Sequence, residues 1–171
     1  MEFDVVRGDI AAQRADALVN AAGTSLRMGS GVAGALRRNA GGPINDDAVS
    51  KGPIDLGAVA VTDAYDLDAE HVIHAAAMPH YGDGRATTES VRDATRNALL
   101  RADELGCESV VVPVLGTGAA GLEFEVGARC VCETIDSYEP STLTDARVIA
   151  YSEPQYRTTA AIADRVRGAD E

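Results

Sequence analysis

Two glycine-rich segments carry the residues best suited to holding a ligand. The first reads Met28-Gly29-Ser30-Gly31-Val32-Ala33-Gly34-Ala35-Leu36 and follows an apolar run, Leu18-Val19-Asn20-Ala21-Ala22-Gly23. Glycines at 29 and 31 let the backbone approach a ligand closely, and the first N–H groups of a following helix have no partner within it. Such groups hold an anion without a lysine. The segment lacks the Gly-Lys-Ser/Thr of a P-loop and the downstream acid of a dinucleotide fingerprint, and a glycine turn before a helix is also ordinary punctuation. The second segment, Val111-Val112-Pro113-Val114-Leu115-Gly116-Thr117-Gly118-Ala119-Ala120-Gly121-Leu122, repeats the arrangement after another buried run. Ligands of open α/β sheets lie outside the carboxyl ends of the strands, so the two loops are expected to converge on one crevice. A pair of amide cradles suits a pair of phosphates.

A third group of interest is Arg7-Gly8-Asp9-Ile10. The Asp9 carboxylate can accept from an exocyclic amine such as that of adenine while the Ile10 N–H serves a ring nitrogen, or Asp9 can cap the short turn after it. Of the histidines, His74 lies in an apolar strand and reads as core, and His71 reads as surface. His80, in Met78-Pro79-His80-Tyr81, is the remaining acid–base candidate, because histidine titrates near neutrality. Cys107, Cys130 and Cys132 are too few for a disulfide framework, and a lone Cys-x-Cys pair makes a poor zinc site, so they read as small buried hydrophobes and no metal is expected.

The elements that must position these groups alternate. Short β-type runs are expected over 3–6, 17–19, 59–62, 72–75, 109–114 and 147–151, with helical patterns between them, which means a layered α/β sheet. The clearest helix runs over about 87–105, where Val91, Ala94, Ala98, Leu99 and Ala102 build one apolar face that ends at Gly106. Other helices begin near Gly31, Asp46, Glu123 and Pro154, the proline suiting a first helical turn. Nothing divides the 171 residues, which suit one domain with one full core.

Charge narrows the partners. The chain has 27 acidic and 15 basic residues, a formal net charge of −12, and a single lysine, Lys51. Such a surface repels nucleic-acid backbones, so generic DNA or RNA binding is not expected. Acidic excess with almost no lysine suits a chain hydrated in concentrated salt, and points to a halophilic source; the acidic tail over 168–171 fits that reading. No apolar stretch approaches a membrane span and no basic, apolar leader is present, so the expected address is the cytoplasm.

In the order and spacing of Gly8-Asp9-Ile10, Val19-Asn20-Ala21-Ala22, Gly29-Ser30-Gly31-Val32-Ala33-Gly34-Ala35, Val72-Ile73-His74-Ala75 and Pro113-Val114-Leu115-Gly116-Thr117-Gly118, the chain resembles the macro domains, which bind ADP-ribose. The resemblance runs over about 3–165. It implies a three-layer α/β/α fold with a six-stranded mixed sheet and ADP-ribose, needing no cofactor, in a cleft at the strand ends. The contacts it implies are Asp9 and Ile10 on adenine, and Tyr151 stacked on that ring. Gly29, Ser30, Gly31, Val32 and Ala33 would face Gly116, Thr117, Gly118, Ala119 and Ala120 across the diphosphate, with Asn20 and Pro113 beside them.

The departures bear on chemistry. Gly23 stands where the family's Asn-Ala-Ala-Asn motif usually ends in an asparagine against the distal ribose. Ala33 stands where efficient hydrolases of the family carry an aspartate. A second branch uses a lysine near the first helix and an aspartate in the second loop; here the corresponding regions hold Arg37 and Arg38, and Ala119 and Ala120. Arginine keeps its proton, so lysine-type covalent chemistry is unsupported. Ala120 also replaces a frequent aromatic, leaving that wall of the pocket open. The resulting expectation is a module that recognises ADP-ribose, free or attached to a protein or nucleic acid. The alternative is a hydrolase that removes ADP-ribose from macromolecules, or deacylates O-acyl-ADP-ribose, by substrate-assisted attack of water.

Overall fold

The computed structural model describes residues 1–80 and 83–168. Six strands form one sheet: β1 (Asp4–Arg7), β2 (Ala17–Gly23), β3 (Val59–Asp63), β4 (His71–Met78), β5 (Ser109–Pro113) and β6 (Asp145–Ala150), in the order β1-β6-β5-β2-β4-β3. All neighbours pair parallel except β3, which runs antiparallel on the edge beside β4. The helices are α1 (Gly31–Ala40), α2 (Ile44–Ser50), α3 (Thr88–Glu104), α4 (Phe124–Ser137) and α5 (Glu153–Gly168). The expected six-stranded mixed sheet between helical layers is therefore the observed one.

Side-chain alternation along the central strands explains the layers. Leu18, Ala22 and Val72 point to a cluster closed by Leu36 and Ala40 of α1 and Ile44 and Ala48 of α2. Val19, Ile73 and Ala75 point the other way, onto Val91, Ala94 and Leu99 of α3, Val131 and Ile135 of α4 and Ile162 of α5. The strands β2 and β4 run longer than the sequence patterns suggest, because both faces are covered and no polar alternation marks their ends. The start of α3 is set by a capping box: Ser90 N–H donates to Thr87 Oγ1 at 3.0 Å and Thr87 N–H to Ser90 Oγ at 2.9 Å. All three cysteines are buried, and burial pushes the Cys107 thiol up to about 11 and that of Cys132 to about 12, so both stay protonated and unreactive.

Two carboxylates tie the edge of the sheet where the strands begin. Asp16 Oδ2 accepts from Glu108 N–H at 2.8 Å and Ser109 N–H at 3.2 Å, while its carbonyl takes the N–H groups of Glu70 and His71. The starts of β2, β4 and β5 are thus held in register at one residue. Asp103, in the last turn of α3, receives Tyr138 Oη at 2.6 Å and the N–H groups of Ser141, Thr142 and Leu143. Burial works to raise its carboxyl, but these donors outweigh it and hold the group down at about 2.

A polar chain crosses three strands inside the sheet. Asn20 Nδ2–H donates to His74 Nδ1 at 3.0 Å, His74 Nε2–H to Thr62 Oγ1 at 2.9 Å, and the Thr62 hydroxyl to the Asp63 carbonyl. This sequence of donors is consistent with a neutral, Nε2-protonated imidazole. Burial lowers the His74 value from 6.5 to about 4; the charge of Asp47 works weakly against this and that of Lys51 weakly with it. The folded state therefore binds fewer protons than the unfolded chain between those values. Stability is complete above the unfolded value and falls as pH drops from 6.5 toward 4. Urea unfolding should show a loss of about 2 kcal/mol between pH 7.5 and 5 that is largely absent in His74→Gln; parallel pH dependence of the two proteins would contradict this role for the imidazole.

Candidate functional site

Because five strands run the same way, the loops after β1, β2, β4, β5 and β6 gather on one edge of the sheet. Strands β2 and β5 are neighbours in the sheet, paired where they begin, Ala17 with Val110 and Leu18 with Val111, so the two glycine loops follow adjacent strands. The topology thus puts both loops on the same edge of the sheet.

The first loop is braced from behind and open in front. Met28 is fully buried; its N–H donates to Asn45 Oδ1 at 2.9 Å and its carbonyl accepts from Arg37 Nη1 at 3.2 Å. Gly34 lies so close to the loop that a Cβ there would sit 2.9 Å from the Gly29 carbonyl oxygen. By contrast, Gly29, Ser30 and Gly31 are exposed, and a Cβ at Gly29 or Gly31 would meet nothing within 4 Å. Ser30 caps α1 with its backbone alone; its hydroxyl makes no capping bond, which leaves the N–H groups at the start of α1 unclaimed by that side chain. The Val32 side chain is half-buried and the Ala33 methyl is buried among the apolar residues beneath α1.

The second loop is held by sterics. A Cβ at Gly116, which has φ of +81°, would lie 2.3 Å from Val91 Cγ2, so only glycine passes there. Gly127 admits the start of α4 beneath the loop, since a Cβ would meet Thr117 Cγ2 at 2.4 Å. The turn over Gly118–Ala120 uses the N–H groups of Ala120, Gly121 and Leu122, and leaves that of Ala119 out of its bonds. Gly118 and Ala119 are exposed, Thr117 is half-buried, and Pro113 is buried at the end of β5.

Ala120 differs from expectation. Its methyl is only 5% exposed, packed with Ala86 and Val91, and its carbonyl takes the Ala86 N–H at 2.9 Å. The wall beside the second loop is therefore not left open: the segment 85–86 covers it, with the Arg85 stem across Gly121, where a Cβ would lie 2.8 Å from Arg85 Cδ. Asn20 also differs. It is fully buried with its amide engaged by His74, so its side chain supports the floor and is not presented at the surface. Its Oδ1 has no partner among the described residues. At Gly23, in the bulge that ends β2, a side chain would press on the Pro79 carbonyl, 3.2 Å from its Cβ.

At the other end of the edge, Gly8 N–H donates to the Ala150 carbonyl, bringing the ends of β1 and β6 together. Asp9 Oδ1 accepts from Ala11 N–H at 2.9 Å, so the capping role is realised, and Oδ2 takes no part in the turn. The turn's own bonds run from Ala12 and Gln13 and do not use the Ile10 N–H. Tyr151, just past β6, is 75% exposed and stands clear of the core. His80 is exposed on the loop after β4, where its carbonyl accepts from Asp83 N–H; Tyr81 lies outside the described residues.

Four arginines, Arg27, Arg37, Arg38 and Arg85, flank the two loops, and among the described residues none forms an ion pair. Sequence reasoning assigns no role to Arg27 or Arg85, although cations beside glycine loops in so acidic a chain are a visible signal. The edge thus combines unclaimed amides, unpaired guanidinium groups, a half-buried carboxylate and an exposed aromatic ring. Chemically it can receive an elongated ligand with anionic groups and a planar ring.

The macro domain family model matches residues 19–131, well over half of the chain. An uncharacterised protein of Saccharolobus solfataricus is 40% identical over 161 residues, 91% of this chain and 89% of its own length. Another, from Pyrobaculum aerophilum, is 39% identical and spans 92% of this chain and 88% of its own length. Among solved structures, an Oceanobacillus iheyensis macrodomain mutant with ADPR superposes with a TM-score of 0.87 at 24% identity, over 96% of this chain and 92% of that one. A Trypanosoma brucei macrodomain in complex with ADP-ribose gives 0.80 at 24% identity, over 92% and 67%. The shared fold, the family match and the full-length relatives lead to one conclusion: this chain belongs to the macro domain family.

Proposed function

We propose that the chain is an ADP-ribose-binding module, and that the two glycine loops hold the diphosphate. The observation that carries this reading is the pair of exposed, amide-presenting loops leaving adjacent parallel strands at one sheet edge. Backbone N–H groups with no internal partner stabilise a bound anion, and neighbouring arginines add to that field. Asp9 Oδ2 and the Ile10 N–H are taken to meet adenine, with the exposed Tyr151 stacking on the ring. That related macrodomains are described with ADP-ribose or ADP supports the choice of ligand. The ligand is taken free or as the terminal group on a modified macromolecule.

Holding is favoured over cleavage. Gly23 and Ala33 offer no acid or base, and the Ala33 methyl is turned into the apolar layer. His80 is the one remaining acid–base candidate at this edge, and its exposed position beside the loop gives no oriented partner among the described residues. The three buried thiols fit the reducing cytoplasm, where we place the protein. The acidic, lysine-poor surface further suits work in concentrated salt.

Three measurements follow from this reading. Calorimetry should give tighter binding of ADP-ribose and ADP than of AMP, and a ligand at roughly 100 times its Kd should add about 2.7 kcal/mol of stability. Gly31→Glu should abolish that binding, while Gly31→Ala, which carries the same backbone strain at φ of +61°, should keep most of it; Asp9→Ala should weaken ADP-ribose and AMP alike. No preference for ADP-ribose over AMP would remove the diphosphate from the model of binding. Incubation with mono-ADP-ribosylated protein should release no ADP-ribose, and turnover that disappears in Asp9→Ala or His80→Ala would establish the hydrolase instead. Finally, the thermal midpoint should rise as KCl goes from about 0.1 to about 2 M, because screening at ~3 Å relieves acidic repulsion; a flat or falling midpoint would count against a salt-adapted surface.

A further inference from the structure

The residues that brace the first glycine loop also line a cleft beside it. It encloses about 440 Å³ and is lined by Arg27, Met28, Gly29, Arg37, Asn45, Asp46 and Val49. Its lining carries one net positive charge, in a chain whose formal net charge is −12. Arg27 is exposed and makes no ion pair among the described residues, and its side chain takes no part in the loop's bracing. Arg37 spends Nη1 on the Met28 carbonyl and keeps its other donors, and Asn45 spends Oδ1 on the Met28 N–H and keeps its amide hydrogens. Val49, 38% exposed, adds an apolar side chain to the lining. Asp46 is the one acid of the lining, and the two guanidinium forks outnumber it; with the Asn45 amide and the apolar flank they match carboxylate side chains on a peptide backbone.

Gly29 lines this cleft and also belongs to the loop given to the diphosphate. An occupant of the cleft would therefore lie next to whatever that loop holds. We infer that the cleft receives acidic residues of a peptide flanking an ADP-ribosylated side chain, so that the carrier protein is read together with its modification. This rests on the proposed ADP-ribose site. A peptide is favoured over a nucleic acid because it brings only a few negative charges to the cleft, whereas a phosphate backbone would run on across the acidic remainder of the surface.

The test compares affinities by fluorescence anisotropy competition for four ligands: free ADP-ribose, an ADP-ribosylated peptide with aspartates beside the modified residue, the same peptide with alanines there, and an ADP-ribosylated oligonucleotide. The acidic peptide should bind about fivefold more tightly than free ADP-ribose or the alanine peptide, as expected for one or two partly exposed charge pairs. Arg27→Gln should bring the ratio of acidic-peptide to alanine-peptide affinity to about one and Arg27→Glu should take it below one, each ratio being read within a single variant so that any change in the shared ADP-ribose affinity cancels. Equal affinity for the two peptides, a margin that survives Arg27→Glu, or tightest binding of the oligonucleotide would each overturn the inference. If free ADP-ribose itself fails to bind, the proposed function falls and the cleft loses its ligand with it; if ADP-ribose binds and the peptides do not differ, only the cleft assignment fails.

Discussion

Backbone N–H groups that no carbonyl can reach are the constraint around which this molecule is arranged. Each parallel strand must hand the chain to a crossover helix, and each such helix begins with donors that have no partner within it. Where β2 meets α1, the Ser30 hydroxyl does not supply the missing acceptor. Where β5 leads toward α4, a glycine-rich turn stands exposed instead of a side-chain cap. Parallel pairing then puts both junctions on the same edge, because neighbouring strands that run alike also end alike.

Rigidity behind the loops matters as much as openness in front. Arg37 and Asn45 hold both polar groups of Met28, while Gly34 brings α1 against the Gly29 carbonyl. Under the second loop, Gly116 and Gly127 exist because Val91 and Thr117 occupy the space that a Cβ would need. These glycines therefore have different tasks. Gly34, Gly116 and Gly127 permit close packing, whereas Gly29 and Gly31 leave free space outside the chain, where a ligand can approach.

Charge is distributed with the same economy. A strongly acidic chain with one lysine places around its two loops four arginines that have no ionic partner among the described residues. Elsewhere, several arginines are paired with acids, as Arg92 is with Glu133 and Arg147 with Asp145. Unpaired guanidinium groups beside exposed amides create a local positive field within a negative surface, which attracts anions to one edge and repels extended polyanions from the rest. The same separation makes the cleft beside Arg27 distinct from the surface around it.

Much of the fold was legible in the linear sequence. Alternating apolar runs and helical faces specified the strand and helix order, Thr87 and Gly106 bracketed α3, and two glycine runs marked the loops, since these signals depend on local spacing. The burial of Asn20 and Ala120 was not legible. An asparagine in a strand reads the same whether it faces a ligand or a histidine on the neighbouring strand, and only the β2–β4 register sets it against His74. An alanine in a loop looks like an open wall until Arg85 and Ala86, some 35 positions earlier, fold across it. Local periodicity is a property of adjacent residues and survives in the sequence; side-chain accessibility depends on strand register and on distant segments, and only the tertiary structure decides it.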